Sequence, residues 1–188
     1  MSAMGEPGTK EVLSLDELEA AVGLRTGRKH VLSILVENKP GVLTRIAGLF
    51  ARRGFNIDTL AVGPTDDEQI SRVTLTVDGA LHPIDQVTKQ LHKLVNVLKI
   101  RDLEPSDTVA RELALFKVSA DGAQRGELMQ IAEIFRGKVV DVTKRAIVVE
   151  VTGTCDKVDA FEQLVRPFGL IEMARTGEIA IARGRGET

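Results

Sequence analysis

The sequence predicts an α+β protein made of two tandem ferredoxin-like units, each with the element order βαββαβ. Three observations predict it. Strand-like and helix-like apolar periods alternate in that order from His30 to Leu103, and the pattern starts again at Arg111. The first helix of each half carries the same apolar face, Leu43, Ile46, Ala47 and Phe50 in one and Leu128, Ile131, Ala132 and Phe135 in the other. Between the halves lies Glu104-Pro105-Ser106-Asp107, a polar and proline-containing break.

Residues 1–29 read as a flexible leader. Its first nine residues are rich in Gly, Pro and Ser, and Ser14-Leu15-Asp16-Glu17 fits a capping box before a short helix ending near Gly23. The first unit spans 30–104. Residues 30–37 are apolar and β-branched, as for a buried strand. A helix follows, stopped by Gly54, and 56–63 form the second strand. After the polar turn Pro64–Glu68, Ser71–Val77 alternates strictly, with Val73, Leu75 and Val77 inward and Arg72, Thr74 and Thr76 outward. Pro83 opens a second helix with Ile84, Val87, Leu91 and Leu94 on one face, and 95–103 supply the fourth strand. This plan leaves one sheet face bare unless something covers it.

Residues 105–110 read as a linker and 111–188 as the second unit. Strands are expected at 111–118, 138–142 and 146–151, a helix at 157–168 stopped near Gly169, and closing strands at 170–174 and 178–182.

Composition narrows the function. A formal net charge of -2, with no Lys/Arg run longer than two residues, gives no field for nucleic acid. Six Phe with no Tyr or Trp offer few stacking platforms for single strands. No apolar run approaches the ~20 residues of a membrane span, and the N-terminus carries no signal peptide. The single Cys155 cannot form an internal disulfide, so a reducing, cytoplasmic location is expected.

Catalytic equipment is sparse. His82 and His92 flank one helix ten residues apart, and with His30 they make no compact metal pattern. Cys155 sits at a strand-to-helix turn, where a helix N-terminus would lower its pKa, but no His is near it in sequence. Asp66-Asp67 lies in a turn and Gly184-Arg185-Gly186 in a tail. No phosphate-binding glycine loop or H-E-x-x-H motif is present. The pattern points to a protein that binds or regulates.

The best candidate site is Glu37-Asn38-Lys39-Pro40-Gly41-Val42-Leu43, with Asn56-Ile57 thirteen residues beyond it. Pro40 suits a helix entry, and Gly41 lets a ligand approach the backbone. The first helical turn offers unpaired N–H groups and the positive dipole end, a site for a carboxylate. Asn38 and Asn56 each add a donor and an acceptor. The second unit repeats the apolar framework but not these residues; its loop is Asp121-Gly122-Ala123-Gln124-Arg125-Gly126. The fold therefore does not require them, and a ligand explains them better.

The run Asn38–Leu43 with Arg53-Gly54-Phe55-Asn56-Ile57 resembles an ACT domain, an amino-acid-binding regulatory module. Ile34–Asp67, Ile70-Ser71-Arg72, 89–97 and 133–143 together are similar to the small regulatory subunit family of acetolactate synthase (acetohydroxyacid synthase), over about 30–183. The resemblance implies a chain without catalysis of its own that activates a larger subunit. Thiamine diphosphate, Mg²⁺ and FAD are expected on that subunit, which joins two 2-oxo acids in branched-chain amino-acid synthesis, and none of them on this chain. It further implies a homodimer through the ACT domains, with valine at the interface as feedback inhibitor and leucine or isoleucine acting more weakly. The matching positions are Asn38, Gly41, Val42, Leu43, Asn56 and Ile57. Two other readings are an amino-acid sensor acting on another enzyme or on transcription, and a small catalyst using His82, His92 or Cys155. The first lacks a helix-turn-helix or basic face, and the second lacks a base beside its nucleophile.

Overall fold

The computed structural model describes residues 29–78, 83–122 and 124–184. The expected leader helix and His82 lie outside these residues. The first unit runs β1 (Lys29–Glu37), α1 (Val42–Arg53), β2 (Thr59–Pro64), β3 (Ile70–Asp78), α2 (Ile84–Leu91) and β4 (Val97–Leu103). The second runs β5 (Thr108–Ser119), α3 (Gln124–Ile134), β6 (Lys138–Val142), β7 (Ala146–Gly153), α4 (Cys155–Val165) and β8 (Leu170–Arg175), with a further strand β9 (Ile179–Ala182). The α+β, two-unit expectation holds. The sheets are ordered β2-β3-β1-β4 and β6-β7-β5-β8, the same arrangement twice.

Each sheet packs one face against its two helices. Leu32, Ile34 and Val36 from β1 and Val73, Leu75 and Val77 from β3 meet Ile46 and Phe50 of α1 and Val87 and Leu91 of α2. Phe116, Val118, Val149 and Val151 meet Leu128, Val158 and Phe161 in the second core. Each such side chain contributes about 1.5–3 kcal/mol by leaving water. Phe116 and Phe135 both pack on Phe161, at centroid distances of 5.0 and 5.5 Å.

The shared helix face is used differently in the two halves. Leu128 is fully buried, whereas its counterpart Leu43 is 41% exposed and Ala47 is exposed too. In α1 the buried stripe is Val42, Ile46, Leu49 and Phe50. Val42 and Leu49 remove more apolar surface from water than Leu43 and Ala47 would, because Leu49 replaces an alanine. The same rotation in α3 would bury Glu127, the counterpart of Val42, so α3 keeps Leu128 and Ala132 inward.

Several boundaries differ from expectation. β2 begins at Thr59, so Asn56 and Ile57 precede the strand. The helix expected at 157–168 starts at Cys155 and ends at Val165, followed by a 3₁₀ turn to Phe168 whose Pro167 cannot continue it. β5 begins at Thr108, inside the expected linker, because Thr108–Arg111 pair with β9 in register Thr108↔Ala182 to Arg111↔Ile179. β8 and β9 run in succession antiparallel to β5, so β5 continues beyond the second sheet as a two-stranded ribbon.

That ribbon contacts β1 and β4 and covers the face of the first sheet that its helices leave bare. One side of the ribbon carries Thr108, Ala110, Ala180 and Ala182, small enough for close approach. Thr74 and Thr76 point to this face as expected, with Ser33 paired opposite Thr74, yet the three are 2–4% exposed because the ribbon lies over it. Gly177, between β8 and β9, touches β2; a Cβ there would stand 2.4 Å from the Leu60 carbonyl oxygen.

Candidate functional site

The loop after β1 is held by its backbone and by one amide. The Asn38 N–H donates to the Gln69 carbonyl (2.7 Å), and Asn38 Nδ2 donates to the Glu68 carbonyl (2.9 Å). Both bonds anchor the exposed Asn38 to the β2–β3 turn, and among the described residues its Oδ1 accepts no hydrogen bond. Gly41 adopts φ +84°, the left-handed region that glycine tolerates, and is the N-cap of α1. Space beside Gly41 is open, since a Cβ there would meet no atom within 4 Å.

The first turn of α1 has no side-chain cap and no acidic residue. Val42 N–H reaches the Lys39 carbonyl at 3.4 Å and Arg45 N–H the Gly41 carbonyl at 3.1 Å, while among the described residues the N–H groups of Leu43 and Thr44 meet no acceptor. These donors and the dipole favour an anion here. Val42 is buried in the core, and the half-exposed Leu43 lies beside the open backbone.

A polar network without any local signal in the chain borders this turn. Arg45 Nη1 donates to Asn96 Oδ1 (2.7 Å), Asn96 Nδ2 to Glu37 Oε2 (2.5 Å), and Lys39 Nζ lies 3.2 Å from Glu37 Oε1. The Asn96 hydrogen bond, then Lys39, hold the Glu37 carboxyl below its usual range. The partners are 51 and 59 residues apart, so only the β1–β4 pairing joins them.

Asn56 and Ile57 lie elsewhere. Gly54 ends α1 with φ +69°, Phe55 turns back onto Phe50 (ring centroids 5.8 Å apart), and Ile57 packs on the first core. Asn56 Nδ2 donates to Asp58 Oδ1 (2.9 Å). The register puts Thr59 opposite Thr76 and Glu37 opposite Ile70, at opposite ends of β3. Asn56 is therefore at one end of α1 and Asn38 at the other, separated by the 12-residue helix, about 18 Å long. One chain gathers Asn38, Gly41, Val42 and Leu43 at one end of the unit and places Asn56 and Ile57 at the other.

The remaining candidates have ordinary environments. His30 Nδ1 is 2.9 Å from Asp102 Oδ2, and His92 is the C-terminal cap residue of α2. Cys155 begins α4, but burial and then Asp159 push its thiol up to about 11, opposite to the shift expected from a helix N-terminus. Fewer thiolates, partly offset by their greater nucleophilicity, should slow iodoacetamide alkylation at about pH 8 roughly tenfold relative to the denatured chain. Equal rates, followed by mass spectrometry, would contradict that environment. Among the described residues no group of three or more His, Cys, Asp or Glu is placed to hold a metal ion, and no helix is long and apolar enough to cross a membrane.

Comparisons with known proteins agree on one family. The family model "AHAS small subunit-like ACT domain" matches residues 32–99, and "Small subunit of acetolactate synthase" matches residues 111–184. The chain is 52% identical over 156 residues to a probable acetolactate synthase small subunit of Methanothermobacter thermautotrophicus, covering 82% of this chain and 93% of the relative. It is 48% identical over 155 residues to the acetolactate synthase small subunit of Mycolicibacterium smegmatis, covering 82% and 91%. The crystal structure of the small subunit from Thermotoga maritima superposes with a TM-score of 0.78 at 43% identity, covering 85% of this chain and 99% of that one.

Proposed function

The chain belongs to the family of acetolactate synthase small subunits, and from that membership we propose that it activates the catalytic large subunit and confers feedback inhibition by valine. Thiamine diphosphate, Mg²⁺ and FAD stay with the large subunit. The valine carboxylate binds the N–H groups of the first turn of α1, with Gly41 allowing its approach. Its ammonium is met by the amide oxygens of Asn38 and Asn56, and its branched side chain by Leu43 and Ile57. The observation that carries this reading is the open, anion-favouring first turn of α1 beside the exposed Asn38.

The separation of the two asparagines supports a site formed between two copies of the chain. β2 is an edge strand of the first sheet, with Leu60 36% and Val62 48% exposed beside it. Antiparallel pairing of β2 with β2 of a second copy satisfies that edge and covers these side chains. Such pairing lays the Asn56 end of one unit beside the Asn38 end of the other. Each valine site is then composite, and leucine or isoleucine binds more weakly, by roughly 1–3 kcal/mol per methylene.

Complementation tests this. Asn38→Ala and Asn56→Ala chains should each lose calorimetric valine binding, and Asn38→Ala should relieve inhibition of the holoenzyme while leaving activation intact. Co-expressed, the two variants should recover one binding site per heterodimer, because one of its two composite sites retains both asparagines. No recovery would mean that the site is not shared between chains. Wild-type chain without saturable heat for valine, leucine or isoleucine would remove the effector assignment.

A further inference from the structure

A second cleft, of about 380 Å³, lies where the ribbon crosses the first sheet, on the sheet face opposite α1. Its floor is Ala61, Gly63 and Thr74, and its wall is Val109, Ile179 and Ile181 of the ribbon's outer side. The volume is in the range of small-molecule sites, and the lining comes from both units. Two guanidinium groups border it. Arg72 is half-buried and donates from Nη1 to the neutral Ser33 hydroxyl (2.8 Å), and Arg111 donates from Nη1 to the Ala110 carbonyl (2.6 Å). Among the described residues neither is paired with a carboxylate, and no acidic side chain lines the cleft. Thr74, 2% exposed, also lines it. A half-buried cation held only by a neutral partner is costly.

We propose that this cleft binds a small aliphatic carboxylate, its charge between Arg72 and Arg111, its oxygen accepting from Thr74, and its chain against Val109, Ile179 and Ile181. The ligand lacks an ammonium group, because the lining has no acid to receive one. This site is separate from the α1 site, and its occupancy bridges the two units.

The test is a methyl NMR titration of the full-length chain, reading the Ile179 and Ile181 δ1 signals. Hexanoate should shift both saturably, with Kd in roughly the millimolar range expected for eight heavy atoms. Arg111→Met should weaken binding tenfold or more, and Arg72→Met likewise, the loss expected from a charged hydrogen bond. Asn38→Ala should leave hexanoate binding unchanged, which separates this site from the valine site. Inorganic phosphate and valine should leave both methyls unmoved. Absence of a saturable hexanoate shift, or a shift that survives Arg111→Met with Arg72→Met, overturns the proposal. So does a shift that appears on raising protein concentration without ligand, which assigns the cleft to a second copy of the chain.

Discussion

Replacing Arg175 with alanine is expected to cost about 3–5 kcal/mol of folding stability and to lower Tm by roughly 6–20 °C. Arg175 at the end of β8 forms a fork with Glu112 of β5, through Nη2 to Oε1 and Nε to Oε2 (2.9 Å), and Nη1 reaches Asp159 of α4. The Glu112 side chain is only 2% exposed. Removing the guanidinium leaves that carboxylate buried without its partner, which costs far more than losing an exposed pair. A double variant, Arg175→Met with Glu112→Leu, should recover much of the loss because it strands no charge. A deficit that is additive in the double variant would show that Arg175 acts through packing alone. Thermal denaturation of the single and double variants decides it.

Gly177→Ala should destabilise the chain by about 1–3 kcal/mol, through overpacking rather than backbone strain. The added Cβ would stand 2.4 Å from the Leu60 oxygen, 2.5 Å from its carbonyl carbon and 2.9 Å from the Ala61 nitrogen. All three are backbone atoms of β2, so no side chain can yield. The ribbon must move away from the first sheet, and Ser33, Thr74 and Thr76 lose their cover. Hydrogen exchange should rise in β2, β3 and β9 while α3 and α4 stay protected. Gly63→Ala is the control, since a Cβ on that neighbouring β2 residue meets nothing within 4 Å. Equal effects of the two substitutions would refute a role for the Gly177 contact.

Most of the fold was legible because its signals are local. Strand alternation in Ser71–Val77 and the helix stop at Gly54 depend on neighbours along the chain, and the repeated helix motif exposed the duplication. What was illegible depends on pairings across the fold. Leu43 and Leu128 sit in identical apolar patterns, and only the competing stripe through Val42 and Leu49, barred in α3 by Glu127, decides which one is buried. The ribbon could not be foreseen from Thr108–Arg111, whose strand character comes from β9, about seventy residues away in the chain. The Arg45–Asn96–Glu37 network and the Arg175–Glu112 fork have the same origin. For the candidate site, the loop and its residue types were readable. That Asn38 and Asn56 lie at opposite ends of α1 follows from the chain itself, because the helix Val42–Arg53 runs between them.

The continuity of β5 has a mechanical consequence. Its first four residues belong to the cover on the first sheet, and the rest form a central strand of the second. One continuous strand joins the two parts, and the short turn Pro105–Asp107 precedes it directly. A shift of the first sheet under the ribbon would therefore reach the second sheet through the backbone of β5 itself rather than through a relay of side chains.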